Sequence, residues 1–455
     1  MIIRSINPFT GQVVQEYKEL STEIVKTVMG RVDDEFHEWR RVSFGKRAEC
    51  MNRAAELLRS ESGKYAKLMA EEMGKPLREG KSEAEKCAWV CEYYAENAEK
   101  FLGLEEIDTG VRKSYVSYKP LGVILAVMPW NFPFWQVFRF AAPNLMAGNA
   151  GILKHASNVP GCAMAIEKIF KDAGFPPNLF RTVLVGSTKV DELIEDERIK
   201  AVTLTGSTPA GKAVAAKAGY MLKKTVLELG GSDPYVILPD ADIENAAKAC
   251  VTSRLINSGQ SCIAAKRFIV VKSIMDDFLE QIVKEMNQKR YGDPMDPRSD
   301  IGPMARIDLR DDLHRQVDES LEKGARCLLG GTVPDGPAAF YPPTVLAGVT
   351  PGMPAYDEEL FGPVAAVIPA EDESDAIRIA NNTSFGLGAA IFTSDIEKGE
   401  RLAREELEAG CCFVNDFVRS DPRLPFGGIK KSGYGRELAA HGIREFTNVK
   451  TIYVK

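Results

Sequence analysis

Cysteine and histidine are scarce in this chain, which argues against a disulfide scaffold and against a metal centre. Nine cysteines among 455 residues are too few, and odd in number, for a disulfide framework. The four histidines form no HExxH or similar pattern of zinc ligands. Cys87 and Cys91 lie one helical turn apart and Cys411 and Cys412 are adjacent, and we interpret both pairs as packing residues. We therefore predict no metal site and a location in the reducing cytoplasm.

The sequence also has little that would bind a membrane or a nucleic acid. Its longest apolar run, from Leu121 to Met128 with Gly122 inside it, is far too short to span a bilayer. The start shows no basic segment followed by a long apolar stretch, so a secretory signal is not predicted. A formal net charge of −6 and the lack of Lys/Arg blocks with interleaved aromatic residues argue against a nucleic-acid partner.

The pattern of apolar residues predicts helices in the first part of the chain. At 455 residues the chain exceeds what one core usually supports, so two or three domains are expected. Between residues 23 and 101, segments such as Lys46–Arg59 and Ser82–Phe101 carry apolar residues at three- and four-residue spacing. Ser43 and Ser82 are predicted N-caps.

Beyond residue 120 short strands and helices alternate, which predicts an α/β fold with a doubly wound parallel sheet. A second α/β stretch runs from about residue 231 to 393, and Thr447–Val454 alternates like an edge strand. The predicted strands are Gly122–Met128, Ala150–Lys154, Arg181–Val185, Ala201–Thr205 and Thr225–Leu229, and the predicted helices are Gly161–Ala173, Val190–Glu195 and Ala210–Ala218.

Three loop segments carry the residue types needed for covalent catalysis on a carbonyl group. Pro129–Pro133 contains Asn131, Glu228–Gly231 begins with a carboxylate, and Asn257–Cys262 ends in a thiol within a polar, glycine-bearing loop. A thiol nucleophile, a carboxylate base and an amide donor for an oxyanion form the minimal set for such chemistry.

In this order and spacing, the three segments resemble those of the aldehyde dehydrogenase family. The resemblance runs from Asn7–Gly11 to Gly433–Glu437, and within the family the chain is most similar to the short bacterial succinate-semialdehyde dehydrogenases. It implies an NAD(P)-binding domain of residues 1–107 and 121–230 and a catalytic domain of residues 231–435. It further implies a small oligomerisation domain of residues 108–120 and 436–455, in a homodimer or homotetramer.

The resemblance also implies a mechanism. Cys262 would attack the aldehyde, hydride would pass to a nicotinamide cofactor, and Glu228 would activate water to hydrolyse the thioester. Asn131 would donate its amide to the oxyanion, a contribution of roughly 3–4 kcal/mol. Glu228 weighs against a CoA-acylating or phosphorylating relative, and the intact set of three weighs against a catalytically silent member of the fold.

The predicted cofactor residues lie in several separate segments, since no GxGxxG follows an early strand. Gly206 and Ser207 link a strand to a helix and could hold a pyrophosphate at the helix N-terminus. The same stretch nearly matches a P-loop, but Ala213 stands where a Mg²⁺-binding hydroxyl would be, so nucleotide triphosphate hydrolysis is disfavoured. The resemblance adds four further contacts to the cofactor: Trp130, Leu229, Glu359 and Phe361.

Lys154-His155-Ala156-Ser157 bears on the choice between NAD and NADP. The family usually has proline in place of His155, and its NAD-preferring members often carry glutamate at the position of Ser157. Serine removes the repulsion of a 2′-phosphate, and Lys154 could pair with that phosphate. NADP is therefore plausible, with NAD left open.

The resemblance assigns three residues to a substrate carboxylate. Arg139 and Arg254 match arginines that succinate-semialdehyde members use, and Ser420 matches a serine that contacts substrate. A salt bridge of purely structural importance is the alternative for each arginine. The predicted substrate is succinate semialdehyde, with glutarate semialdehyde or an aliphatic aldehyde as the alternative.

Overall fold

An N-terminal hairpin and four helices begin the fold. The structure is a computed structural model and describes residues 2–455. Ser21 and Ser43 cap the first two helices, each accepting from a backbone N–H three residues on. The prediction for Ser82 is wrong, because the fourth helix starts at Leu77 and Ser82 Oγ donates to the Arg78 carbonyl one turn back, at 3.0 Å. The elements are β1 Ile2–Ile6, β2 Val13–Lys18, α1 Thr22–Trp39, α2 Phe44–Ser60, α3 Ser62–Met73 and α4 Leu77–Phe101.

The next segment alternates strands and helices, as the sequence predicts. Its elements are β3 Glu105–Glu106, β4 Lys113–Pro120, β5 Val123–Met128, α5 Trp135–Ala147, β6 Ala150–His155, α6 Pro160–Asp172, β7 Phe180–Thr182, α7 Val190–Glu195, β8 Ile199–Thr205, α8 Thr208–Tyr220 and β9 Lys224–Glu228. Each predicted strand and helix in this part has a counterpart, with ends that differ by a few residues.

The remaining elements complete a second α/β unit and the C-terminal strand. They are β10 Asp233–Ile237, α9 Ile243–Leu255, β11 Ala265–Val271, α10 Met275–Asn287, α11 Ile307–Glu322, β12 Arg326–Leu329, β13 Thr344–Ala347, α12 Pro354–Asp357, β14 Val364–Ala370, α13 Glu373–Asn381, β15 Gly388–Phe392, α14 Ile396–Glu405, β16 Cys411–Val414, β17 Gly433–Tyr434, α15 Ala439–Glu445 and β18 Thr447–Val454.

The first large sheet is doubly wound, which confirms the predicted fold class. Its order is β17-β9-β8-β5-β6-β7, and all neighbours are parallel except the β17–β9 pair. The strand order reverses between β5 and β8, whose carboxyl ends are Met128 and Thr205. Such a reversal opens a crevice outside the carboxyl ends of the strands, where α/β proteins bind ligands.

The second large sheet supplies the other wall of that crevice. Its order is β12-β13-β14-β11-β10-β15-β16, with only β12 antiparallel to its neighbour. Tyr235 and Phe268 pack into one apolar cluster, whereas the adjacent Val236 and Ile269 pack into another. Because successive residues of a strand face opposite sides, this sheet is covered on both faces.

A three-stranded antiparallel sheet joins the C-terminal strand to the segment between α4 and β5. Its order is β18-β4-β3, and β18 pairs with β4 along its whole length, from Thr447 opposite Pro120 to Val454 opposite Lys113. β18 is an edge strand, and Val449 and Tyr453 on it are exposed.

The described residues 2–455 contain no helix that is both long and apolar enough to cross a bilayer. Within the same range no group of three or more His, Cys, Asp or Glu side chains could hold a metal ion. All nine cysteines of the described chain are free thiols.

Candidate active site

Hydrogen bonds join the loops that carry the predicted catalytic residues. The loop after β5 places Asn131 so that its Nδ2 donates to the Gln260 carbonyl at 3.1 Å. In return, Asn257 Nδ2 donates to the Asn131 carbonyl at 2.7 Å. The carboxyl ends of the first sheet therefore meet the loop that enters the second sheet at β11. Asn131, Glu228 and Cys262 all line one cavity of about 250 Å³, which we call the first cavity.

The loop before Cys262 has an unusual backbone that its surroundings hold in place. Asn257, Ser258 and Gly259 have φ values of 55°, 56° and 78°. Left-handed conformations cost non-glycine residues about 1–2 kcal/mol each. The Asn257 N–H donates to Glu79 Oε2 at 2.7 Å, and a Cβ on Gly259 would lie 2.3 Å from the Gly362 carbonyl carbon. These contacts fix the position of the thiol that follows.

The surroundings of Cys262 favour the neutral thiol over the thiolate. Burial raises its pKa to about 12, and the carboxylates of Glu359 and Glu228 add to the effect. Arg139 and Lys266 oppose it, and Lys266 Nζ donates to the Cys262 carbonyl at 2.7 Å. Because the thiolate is the nucleophile, attack on a substrate requires a proton acceptor or a stabilised anion in this cavity.

Glu228 is a buried carboxyl group at the end of β9. Within residues 2–455 neither of its carboxyl oxygens has a hydrogen-bond partner. Burial raises the pKa of Glu228 well above its ordinary value, Glu437 adds to this, and Arg139 opposes it. A carboxyl group without partners beside a thiol is free to exchange protons with a water or a substrate.

The first cavity also brings together most of the predicted cofactor residues. Ser207 precedes α8 without capping it through its side chain, so the first N–H groups of the helix are open to an anion. The cavity is lined by Trp130, Gly206, Ser207, Leu229, Glu359 and Phe361. A pyrophosphate-bearing cofactor fits an open helix N-terminus of this kind.

Glu359 is held at the opposite wall of the first cavity. Its Oε1 accepts from the Gly231 N–H at 3.0 Å and lies 3.3 Å from Lys266 Nζ. A Cβ on Gly230 would lie 2.3 Å from Glu359 Oε2, so only glycine leaves room for the carboxylate. The fixed carboxylate can accept hydrogen bonds from ribose hydroxyls.

Lys154 and Ser157 lie outside the first cavity. Lys154 is buried at the end of β6, and burial lowers its pKa. Ser157 is exposed and lines a separate cleft of about 630 Å³ between the N-terminal hairpin and the start of α11. Ile307 at the start of α11 lines this cleft and Leu309 lines the first cavity, so the two spaces adjoin the same helical turn.

His155 connects strand β6 to the loop that carries Asn131. Its Nδ1 accepts from the Ala156 N–H at 2.9 Å, so Nε2 carries the proton and donates to the Pro133 carbonyl at 2.9 Å. Burial lowers the pKa of His155 to about 4, which keeps the ring neutral. The departure from the usual proline thus adds a bond between two neighbouring strand ends.

A second cavity, of about 270 Å³, meets the first at Cys262. Predicted substrate residues Arg139 and Ser420 line it, together with the aromatic rings of Phe132, Trp135 and Phe426. Arg139 forms an ion pair with Glu437 and lies 4.7 Å from the centre of the Phe426 ring.

Arg254 lies away from the second cavity, so the structure adds no support to its predicted contact with the substrate. Its side chain is fully buried and does not line the second cavity. Nη2 instead donates to the Gly259 carbonyl at 2.5 Å, and burial lowers the pKa of Arg254 to about 9. The sequence match did not show that Arg254 lies on the buried face of α9, where its side chain holds the loop that precedes Cys262.

Helix α4 supplies site residues that the sequence motifs did not reveal. Glu83 Oε1 accepts from the Phe134 and Trp135 N–H groups at 2.8 and 2.9 Å, which anchors the start of α5. Glu79, Glu83 and Lys86 line the second cavity. Charged residues spaced four and three apart on one face of a helix were the available signal.

Comparisons with known proteins agree with this geometry. The model of the aldehyde dehydrogenase family matches residues 1–452. A probable succinate-semialdehyde dehydrogenase (NADP+) from Synechocystis sp. is 48% identical over 454 residues, with 100% of both chains covered. Succinate-semialdehyde dehydrogenase (NADP+) 1 from Mycobacterium tuberculosis is 49% identical over 457 residues, again with 100% of both covered.

Solved structures extend the similarity to three dimensions. The structure of succinic semialdehyde dehydrogenase from Streptococcus pyogenes in complex with NADP+ has a TM-score of 0.97 and 38% identity, covering 99% of both chains. A structure of Gox0499 has a TM-score of 0.98 and 40% identity, covering 100% of both. The chain therefore belongs to the aldehyde dehydrogenase family.

Proposed function

We propose that the protein oxidises succinate semialdehyde to succinate with NADP+. The observation that carries the proposal is the position of Cys262 where two cavities meet. The first cavity presents an open helix N-terminus and a fixed carboxylate, and the second presents cations and a serine hydroxyl. The succinate-semialdehyde dehydrogenases that are nearly half identical to this chain over its full length support the substrate and the cofactor.

The chain's own residues perform the covalent steps. Cys262 releases its thiol proton to solvent through the cavities that meet at it, and Sγ then bonds to the aldehyde carbon and gives a thiohemiacetal alkoxide. The Cys262 N–H and the second Nδ2 proton of Asn131 stabilise the negative oxygen, which lowers the barrier to attack. A bound nicotinamide would supply the acceptor for the hydride of the substrate carbon, and loss of that hydride leaves the substrate joined to Cys262 as a thioester.

Glu228 completes the reaction as a general base. Its carboxylate removes a proton from a water molecule whose oxygen bonds to the thioester carbon. The carbon–sulfur bond then breaks, which releases the carboxylic acid and regenerates the thiolate. Because burial favours the neutral form of Glu228, the proton taken from water must leave its carboxyl group before the next turnover.

Gly206, Ser207 and Glu359 would bind the cofactor, with Trp130, Leu229 and Phe361 bordering the same cavity. Ser157 would leave room for a 2′-phosphate without repelling it, because serine carries no charge. Buried Lys154 would add a nearby positive charge. This assignment favours NADP+ over NAD+.

Ser157→Glu is expected to reduce the preference for NADP+. A carboxylate beside the 2′-phosphate should lower the NADP+/NAD+ ratio of kcat/KM by at least about tenfold, since like charges in contact are strongly disfavoured. Initial rates with each cofactor at saturating aldehyde measure the ratio, and Ser157→Ala is the matched control without the new charge. An unchanged ratio in Ser157→Glu would remove Ser157 from the cofactor site.

The substrate is tested by comparing succinate semialdehyde with butanal, an uncharged aldehyde of the same carbon number. We expect kcat/KM to favour succinate semialdehyde by at least about ten- to a hundredfold, the value of one charge-assisted contact. Equal rates would indicate a general aldehyde dehydrogenase. The value of kcat/KM for glutarate semialdehyde, measured in parallel, shows whether the longer carboxylated aldehyde is the better substrate.

We also propose a homodimer or homotetramer in the cytoplasm. β18 is an edge strand with exposed apolar side chains, and pairing with a second subunit would cover it. The division into residues 1–107 with 121–230, residues 231–435, and residues 108–120 with 436–455 is part of the same proposal.

A further inference from the structure

One of the cationic side chains that line the second cavity belongs to no sequence motif. Three cationic side chains line it: Lys86, Arg139 and Arg419. Arg139 is paired with Glu437, and Arg419 is largely exposed and pairs with Asp416 at 2.7 Å. Both arginines therefore already have a carboxylate partner before any substrate binds.

Lys86 differs from the two arginines in its surroundings. Its Nζ donates to Ser420 Oγ at 2.8 Å and lies 4.4 Å from the centre of the Trp135 ring. No carboxylate among residues 2–455 lies within 4.0 Å of Lys86 Nζ. An ammonium group with one neutral partner and one aromatic neighbour retains donors for an anion that enters the cavity.

We propose that Lys86, together with the hydroxyl of Ser420, binds the carboxylate of the aldehyde substrate. The assignment rests on the proposed function and names the cation responsible for the choice of substrate. Arg139 then acts as a positioning residue, since its charge is shared with Glu437 and it faces both Glu228 and Cys262. Trp135 and Phe426 form apolar walls along the carbon chain between the two ends.

The charges around Lys86 give the assignment a pH dependence. Glu83 and Cys87 on its own helix and Asp421 in the loop between β16 and β17 favour the charged form, and Arg139 on α5 opposes it. Burial outweighs them and lowers the pKa of Lys86 to about 8. Glu79 also lines the cavity, and burial raises the pKa of its carboxyl to about 7. As pH rises through 8, Lys86 loses its charge, so affinity for an anionic aldehyde should fall.

The test is the ratio of kcat/KM for succinate semialdehyde to that for butanal, measured in the wild type, K86M, K86R and K81M. We expect K86M to lower the ratio about ten- to a hundredfold, mainly through KM, because one charge-assisted contact is lost. K86R should keep most of the ratio. Lys81 is exposed on the same helix, and K81M should match the wild type.

The pH profile of the same ratio provides a second, independent measurement. Titration of Cys262 and Glu228 affects both aldehydes, so the ratio cancels it. Between pH 7 and 9.5 the wild-type ratio should fall more steeply than the K86R ratio, because ionisation of Glu79 lowers both ratios whereas a guanidinium keeps the charge that Lys86 loses. This comparison stands even if K86M fails to fold, and identical wild-type and K86R profiles would overturn the assignment.

The outcomes separate this assignment from the proposed function. A wild-type ratio near one refutes the substrate and Lys86 together. A high wild-type ratio that survives in K86M refutes Lys86 alone and returns the carboxylate to Arg139. Equal loss for both aldehydes in K86M, with NADP+ still bound in a fluorescence titration, would show a structural role and also overturn the assignment.

Discussion

Cys262→Ala is expected to abolish aldehyde oxidation while NADP+ binding persists. The methyl group cannot bond to the aldehyde carbon, so neither thiohemiacetal nor thioester can form. We expect kcat to fall at least about 10⁴-fold, as when other covalent nucleophiles are removed. The loop itself should survive, because Lys266 binds the Cys262 carbonyl and Asn131 binds the Gln260 carbonyl, both backbone groups that alanine retains.

Two measurements check this result. Stopped-flow absorbance at the wavelength of the reduced cofactor should show no burst in Cys262→Ala, and a fluorescence titration should show NADP+ bound with near wild-type affinity. Cys411→Ala is the matched control, since Cys411 is a partly buried thiol that also lies near Glu228. Turnover retained in Cys262→Ala, or lost equally in Cys411→Ala, would sink the assignment of the nucleophile.

The sequence predicted the elements of the fold better than their ends. Alternation of short apolar strands with helices was sufficient for the doubly wound sheet, because buried parallel strands leave a strong periodic pattern. Ser82 misled the prediction of the α4 start. Serine is a common N-cap, but here it lies one turn inside the helix and donates to the Arg78 carbonyl.

The part of the candidate site that short sequence motifs carry could be predicted. Asn131 and Glu228 lie at the carboxyl ends of β5 and β9, and the loop that carries Cys262 contacts those ends, so all three line one cavity. Arg254 shows the limit of this reasoning. Its separation of eight residues from Cys262 says nothing about which side of α9 its side chain occupies, and the structure buries it below the loop.

The contribution of α4 was hidden for a different reason. Glu83 and Lys86 act on loops 50 or more residues away, so no local spacing reveals their partners. Their positions matter only after α4 packs against α5 and against the loop between β16 and β17. Residues of this kind can be found from sequence only by asking why a helix with an apolar face carries charges on it.

Glu228→Gln is expected to separate the two halves of the reaction. Glutamine fills the same space but cannot accept a proton from water. The first turnover should therefore release a burst of reduced cofactor approaching one per active site, whereas steady-state kcat should fall about 10²–10⁴-fold. In the wild type, burial raises the pKa of Glu228, so steady-state kcat should increase as pH rises through that pKa. The variant should lack this increase.

The same burial gives the variant a stability test with a definite sign. A carboxyl group whose pKa is higher in the folded state contributes most to stability at low pH, and the contribution is lost as pH rises. Glutamine never ionises, so the melting temperature of Glu228→Gln should equal or exceed that of the wild type, by a margin that grows from pH 5 to pH 8.

Loss of the burst and of steady-state turnover in equal measure would place Glu228 in the attack step. A lower melting temperature at pH 8 would show that the native structure stabilises the charged carboxylate, and the argument from its unpartnered oxygens would fail.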